Sequence, residues 1–329
     1  MKTINWGIIG AGTIAKTFAT ALSSMENTKL SAVASRDMKR AREFADRFHV
    51  EKAYASYEEL AKDPGIDVIY IGTPNTEHKA NAALCIRNKK AVLCEKPFTL
   101  NATESEELIS MAREYKVFLM EAMWTKFLPV TDTVKRWITE KRIGEVRHMK
   151  ISFGFRAEFD LNSRLFNPDL AGGALLDVGI YPITYAIHMM GKLPDQVTSS
   201  AVLGRSGVDE QNVITFKFRD GVLADLSSAI SAATGNDAVI IGDKGKIIIP
   251  DFWMGSRARM YDADNNLIDS FLQPFAVNGY EYEAEEVNRC IREGRPDSRI
   301  NPLNDTLAII KLMDQIRAQW GLVYPKEIC

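Results

Sequence analysis

Cysteine and histidine are both scarce in this chain, with four of each among 329 residues. Cys85, Cys94, Cys290 and Cys329 form no Cys-x-x-Cys pair, and none stands near a histidine at zinc-ligand spacing, so neither a disulfide framework nor a metal centre is expected. His49, His148 and His188 show no ligand spacing either. Excess charge of one sign is also missing. Lys and Arg number 41 against 43 Asp and Glu, a net charge of -2, which speaks against a non-specific nucleic-acid binder. No apolar run approaches the ~20 residues of a membrane span. The first six residues lead straight into an apolar strand, without the long apolar stretch and cleavage site of a signal peptide. Repeats, low-complexity segments and long linkers are absent. The expectation is a cytoplasmic protein with reduced thiols and about two domains.

What is present is an alternation. Short apolar runs over 4–9, 30–34, 67–71, 91–94 and 117–120 read as buried strands, separated by helical patterns over 13–24, 38–48, 76–87 and 102–115. Strands alternating with helices of ten or more residues imply βαβ units and a parallel sheet covered on both faces. Beyond residue 120 the pattern changes. Residues 146–155, 212–218 and 222–228 read as strands, and the pairs 239–242/246–249 and 257–261/267–271 flank turn signals, so a mostly antiparallel sheet is expected. Helices are expected over 130–141, 175–190, 280–293 and 302–320, the last with Pro302 in its first turn and Asn301 as cap.

The first strand runs into Gly10-Ala11-Gly12-Thr13-Ile14-Ala15, a G-x-G-x-x-A that opens a helix. Gly10 allows the tight turn, Gly12 lets the backbone approach a pyrophosphate, and the helix start that Thr13 and Ile14 open offers amides to its charge. Ala15 is small enough for the helix to lie close on the strand. The fold class is therefore α/β: a doubly wound Rossmann-type sheet over 1–121, then an α+β domain over 122–329. The second strand ends in Ser35-Arg36, where NAD sites usually carry an acidic residue for the ribose hydroxyls. A guanidinium there suits a 2′-phosphate, so NADP is expected, with NAD as the alternative. Asp37 reads as a helix N-cap, or as a ribose contact that admits both cofactors.

Gly72-Thr73-Pro74-Asn75-Thr76-Glu77-His78 after the third strand and Glu95-Lys96-Pro97 after the fourth, taken with the turn at Gly10, resemble the glucose–fructose oxidoreductase/inositol dehydrogenase (Gfo/Idh/MocA) family. Residues 121–129, 167–182 and 279–283 resemble its dihydrodiol dehydrogenase/D-xylose dehydrogenase branch. The resemblance implies an NAD(P)-dependent dehydrogenase acting on a hydroxyl carbon of a sugar or cyclic diol. Such chemistry needs a base at the hydroxyl as the hydride leaves. Lys96 lies past a strand's C-terminal end, where α/β sheets bind ligands, and Glu95 is placed to hold its ammonium. The resemblance gives Lys96 contact with the substrate hydroxyl.

Asp177 and Tyr181, four apart on an expected helix, share a face, and the Gly172-Gly173 pair lets that helix start close to another backbone. Many relatives carry a histidine in place of the tyrosine. A phenol, with its ordinary pKa of about 10, is a weak base at neutral pH, and an ammonium nearby favours its phenolate. The roles expected are therefore Tyr181 as proton acceptor, Lys96 as its electrostatic partner and Asp177 as an orienting or substrate-binding group. Thr73, Pro74, Asn75 and His78 are expected along the cofactor, with a helix-surface place as the other reading of His78. Trp124, Phe127 and Arg164 are candidate substrate contacts. Two other readings remain open, a polyol (inositol-type) dehydrogenase and a non-catalytic nucleotide-sensing regulator. Apolar residues on both alternations of 212–218 and 239–241 point to a homodimer, or a dimer of dimers, through the C-terminal sheet.

Overall fold

The computed structural model describes residues 2–327, so Cys329 lies outside the described residues. The chain forms two compact units, Met1–Trp124 with Phe275–Ile310, and Thr125–Pro274 with Lys311–Cys329. The expected cut between 121 and 122 is thus close to the first crossing point. The assignment of everything after it to the second domain is corrected, because 275–310 returns to the first unit.

The first unit is built on β1 (Ile4–Ile9), α1 (Thr13–Leu22), β2 (Thr28–Ala34), α2 (Met38–Phe48), β3 (Lys52–Tyr54), α3 (Tyr57–Lys62), β4 (Val68–Ile71), α4 (His78–Arg87), β5 (Ala91–Glu95), α5 (Ala102–Tyr115) and β6 (Leu119–Ala122). The sheet order is β3-β2-β1-β4-β5-β6, parallel at every pairing. β4 and β5 are buried along their whole length, as strands covered on both faces must be. The chain steps outward from β1 to β3 and then crosses back to β4 beside β1. That reversal is the switch point at which open α/β sheets bind ligands. β3 and α3 were not expected. A three-residue, half-exposed strand carries no period to read, and α3 is short, held at its start by the Ser56 hydroxyl, which accepts from the Glu58 and Glu59 amides.

The second unit contains α6 (Pro129–Thr139), β7 (Val146–Gly154), the wide π-helical turn Leu175–Gly179 leading into α7 (Ile180–Met190), and then β8 (Gln196–Leu203), β9 (Asp209–Lys217), β10 (Leu223–Ala229), β11 (Ala238–Gly242), β12 (Gly245–Ile249), β13 (Arg257–Asp262) and β14 (Leu267–Leu272). Its sheet has the order β14-β13-β12-β11-β7-β10-β9-β8 and is antiparallel except where β7 meets β10. β8 was not expected; its Thr-Ser-Ser centre blurs the alternation. α7 lies against β7 and β10. One alternation of β9, Asn212, Ile214 and Phe216, is buried, while Val213 stays 54% exposed. The less buried alternation is mixed. Val213, Val239 and Ile248 share it with Lys217, Lys150 and Asp225, the last paired with His148 at 3.0 Å. Apolar residues thus stand on both alternations of β9, with charged ones among them on the less buried side.

The helical stretch Pro168–Met190 is long and apolar enough to cross a membrane by length and composition, and 94% of its apolar window is buried inside the fold. The expectation that nothing approaches that length missed it because Asp169 and Asp177 interrupt the run.

α8 (Glu281–Arg292) and α9 (Leu303–Trp320) follow. The reason that 275–310 joins the first unit is a set of polar bonds. The Trp6 indole N–H donates to Asn288 Oδ1 at 3.0 Å, and Asn288 Nδ2 donates to the Thr28 hydroxyl at 2.9 Å. Asn278 Nδ2 donates to the Thr17 carbonyl, and the Thr306 hydroxyl donates to Glu121. α9 begins at Leu303 rather than Pro302. The Asp297 carboxylate accepts from the Leu303 amide, and Asn301 Nδ2 donates to the Glu121 carbonyl.

Candidate active site

In the first unit the expected residues gather at the C-terminal ends of β1, β2, β4 and β5. Gly10 has φ +98°, and a Cβ there would lie 2.9 Å from the Gly72 carbonyl oxygen, so the turn accepts only glycine. Gly12 begins α1 with extended backbone, and among the described residues nothing stands within 4 Å of where its Cβ would be. The space over the helix start is therefore open to a pyrophosphate, and the backbone amides that open α1 suit its charge. These residues fit a dinucleotide.

At the end of β2, Ser35 is buried and its hydroxyl accepts from the Asp37 amide at 3.3 Å. Asp37 caps α2, accepting from the Lys39 amide at 2.8 Å, as the first of its two readings expects. Arg36, Lys39 and Arg40 are exposed. Arg36 stands beside the Tyr57 phenol of α3, a neighbour unforeseen because α3 was; burial raises that phenol's pKa and the Arg36 charge opposes it.

Past β4, the Thr73 hydroxyl accepts from Asn81 Nδ2 at 3.1 Å. His78 is corrected on both of its readings. It is fully buried, with Nδ1 2.8 Å from the Pro97 carbonyl and Nε2 3.0 Å from the Thr73 carbonyl. Burial lowers its pKa while the two carbonyls favour the protonated ring, and the side chain joins the strand-end loops after β4 and β5. Past β5, Glu95 accepts from the Tyr70 hydroxyl at 2.5 Å and from the Lys96 amide at 3.2 Å, and the Lys96–Pro97 peptide is cis. Lys96 is half-buried. Glu283 of α8 is fully buried, and its carboxyl is pushed well above the usual range, first by burial and then by the charges of Glu95 and Glu121. Its only sequence signal was its place in the segment 279–283. Trp124 is buried and stacks on Tyr280 at 4.3 Å between centroids.

In the second unit the structure brings Arg164 and Asp177 together. Nη1 lies 2.7 Å from Oδ1 and Nη2 3.3 Å from Oδ2, a two-pronged pair with an exposed guanidinium and a buried carboxylate. Asp177 lies on the wide turn and Tyr181 in the first turn of α7, so the regular helix expected between them is corrected. π turns of this kind recur at functional sites. The Tyr181 ring is buried against Phe153 (5.5 Å) and Trp253 (6.0 Å), which stack on each other at 4.6 Å. Neither aromatic was expected there. Phe127 is half-buried on the short turn that starts at Trp124. Among the described residues, no group of three or more His, Cys, Asp and Glu is arranged to hold a metal ion.

A family model for an oxidoreductase family with an NAD-binding Rossmann fold matches residues 4–123, and a GFO/IDH/MocA C-terminal domain model matches residues 131–248. Trans-1,2-dihydrobenzene-1,2-diol dehydrogenase of Xenopus tropicalis is 38% identical over 97% of this chain and 99% of its own length. The Homo sapiens protein of that name is 32% identical over 98% and 99%. Among solved structures, KijD10, a 3-ketoreductase from Actinomadura kijaniata in complex with NADP and TDP-benzene, aligns with a TM-score of 0.85 at 27% identity, covering 96% of this chain and 98% of that one. An aldose-aldose oxidoreductase from Caulobacter crescentus shares the fold, with a TM-score of 0.88 at 22% identity, covering 98% of this chain and 100% of that one.

Proposed function

The chain belongs to the GFO/IDH/MocA family of NAD(P)-binding oxidoreductases, and on that premise we propose that it is an NADP-dependent dehydrogenase of a cyclic trans-diol or a sugar. The observation that carries the reading is similarity to dihydrodiol dehydrogenases over nearly the whole of both chains. Gly10, Gly12, Thr13 and Ile14 hold the pyrophosphate, Ser35 and Arg36 the 2′-phosphate, and Thr73, Pro74 and Asn75 the ribose and nicotinamide. The bound dinucleotide supplies the hydride acceptor. Tyr181 takes the hydroxyl proton, Lys96 favours its phenolate, and the Arg164–Asp177 pair orients the substrate. Phe153 and Trp253 give the tyrosine an apolar wall suited to a carbocyclic ring.

Cofactor reduction measured with trans-dihydrodiols, aldoses and inositols, with NADP and NAD in turn, tests this. Turnover of a diol or an aldose with NADP is expected. Turnover of inositols alone moves the substrate class, and dinucleotide binding without any turnover favours the regulator.

The Cys85, Cys94 and Cys290 thiols are free and buried, and burial raises all three pKa values, that of Cys290 to about 12. Such thiols suit a reducing cytoplasm, the compartment assigned here. The assembly assigned is a homodimer through the less buried alternation of the eight-stranded sheet, where Val213 and Leu223 are exposed. Light scattering at micromolar concentration is expected to give twice the 36.8 kDa chain mass. A mass that stays at one chain as concentration rises rules the dimer out.

A further inference from the structure

Asp209, the first residue of β9, was assigned no role, yet it is fully buried and its bonds converge on the segment that carries Asp177 and Tyr181. Its Oδ2 accepts from the Leu175 amide at 2.8 Å and from Asn212 Nδ2 at 2.8 Å. Asn212 Oδ1 in turn accepts from the Ser228 hydroxyl at 2.9 Å, across the β9–β10 pairing. A buried chain therefore runs from β10 through β9 to the first amide of the wide turn. Among the described residues, Asp209 Oδ1 has no hydrogen-bond partner. It lies against Gly173, where a Cβ would come within 2.3 Å. The Gly172-Gly173 pair thus serves a close approach to a carboxyl group as well as to backbone.

We infer that Asp209 is a positioning residue for the proton-transfer step: by fixing the Leu175 amide it sets the winding of the turn and, through it, the places of Asp177 and Tyr181. The amides at a helix start lack intrahelical acceptors, and this one is tied to the sheet rather than to solvent. Leu175 is two residues from Asp177 and six from Tyr181, so a shift at the anchor is carried directly into both. The charged and titratable groups facing Asp209 are Arg317 of α9, held by Asp314 and Glu327, and Tyr324, which donates to the Gly172 carbonyl at 2.7 Å. Burial pushes the Asp209 carboxyl up to about 7, against the bonds from Asn212 and Leu175 that favour its charge.

The inference rests on Tyr181 as proton acceptor, so its test has an arm that does not. In cofactor-free Asp209→Ala, amide hydrogen exchange over residues 173–181 is expected to speed up at least tenfold. In the loaded enzyme kcat is expected to fall about tenfold, with dinucleotide affinity unchanged. Asp209→Asn keeps an acceptor oxygen for Leu175 and is expected to recover most of both. Unchanged exchange over 173–181, an unchanged kcat, or an Asn variant as impaired as the Ala variant each overturns the inference. If Asp209→Ala does not fold, Asn212→Ala takes its place with an expected threefold effect on the same two readouts. Tyr181→Phe is run in parallel. If it keeps full activity, the proton-acceptor reading falls, and the exchange arm still decides whether Asp209 fixes the turn.

Discussion

Replacing Tyr181 with phenylalanine is expected to lower kcat by about 10²–10⁴, the range for loss of an acid–base group. The substitution removes one oxygen and keeps the ring that packs on Phe153 and Trp253, so the second unit's core is preserved. Dinucleotide affinity is expected to stay unchanged, because the residues assigned to the cofactor all lie in the first unit. Lys96→Met is expected to lower kcat as well and to move the pH–rate profile for oxidation to higher pH, since the charge assigned to favouring the phenolate is gone. Steady-state kinetics across pH with both variants is the measurement. A fully active Tyr181→Phe enzyme moves the acceptor role to Asp177 or Lys96.

Replacing Arg36 with alanine is expected to weaken NADP binding about thirtyfold and to leave NAD binding nearly as it was. A charge-assisted hydrogen bond is worth roughly 1.5–3 kcal/mol, which corresponds to about ten- to 150-fold. Asp37, the acidic residue that follows Ser35 and Arg36 after β2, already accepts from the Lys39 amide as the α2 cap, which favours the phosphorylated cofactor. Titration of each cofactor against parent and variant gives the answer, and equal losses for the two remove the phosphate role from Arg36.

The parts of the fold legible in the sequence are those whose cause is local. The turn at Gly10 and Gly12 is dictated by the next few residues, so β1, the turn and α1 follow from spacing alone. Asp37 was recognisable as a cap for the same reason. The return of 275–310 was not, because its partners are far off in the chain: Asn288 meets Trp6 and Thr28, and Asn278 meets Thr17. The aromatics around Tyr181 were hidden likewise, since β7 supplies Phe153 and the turn after β12 supplies Trp253. The wide turn has no composition of its own; it depends on Asp209, 34 residues beyond Leu175. His78 was misread because a histidine in a strand-end motif looks like a ligand contact, whereas burial against two carbonyls makes it a tie between loops.

The return of residues 275–310 also bears on how the protein is made. A ribosome releases the β1–β6 region first, and roughly 150 residues of the other unit follow before α8 emerges. At about 5–20 residues per second that is a wait of roughly eight to thirty seconds. Throughout it the Trp6 indole lacks Asn288, and the six-stranded sheet has all its strands but not the helical segment 275–310 that completes its unit. The second unit also awaits its last piece, 311–329, so neither half finishes during synthesis of its own main stretch. A fragment ending at 124 reproduces that unfinished state, and a self-sufficient dinucleotide-binding fragment needs 275–310 joined back to it.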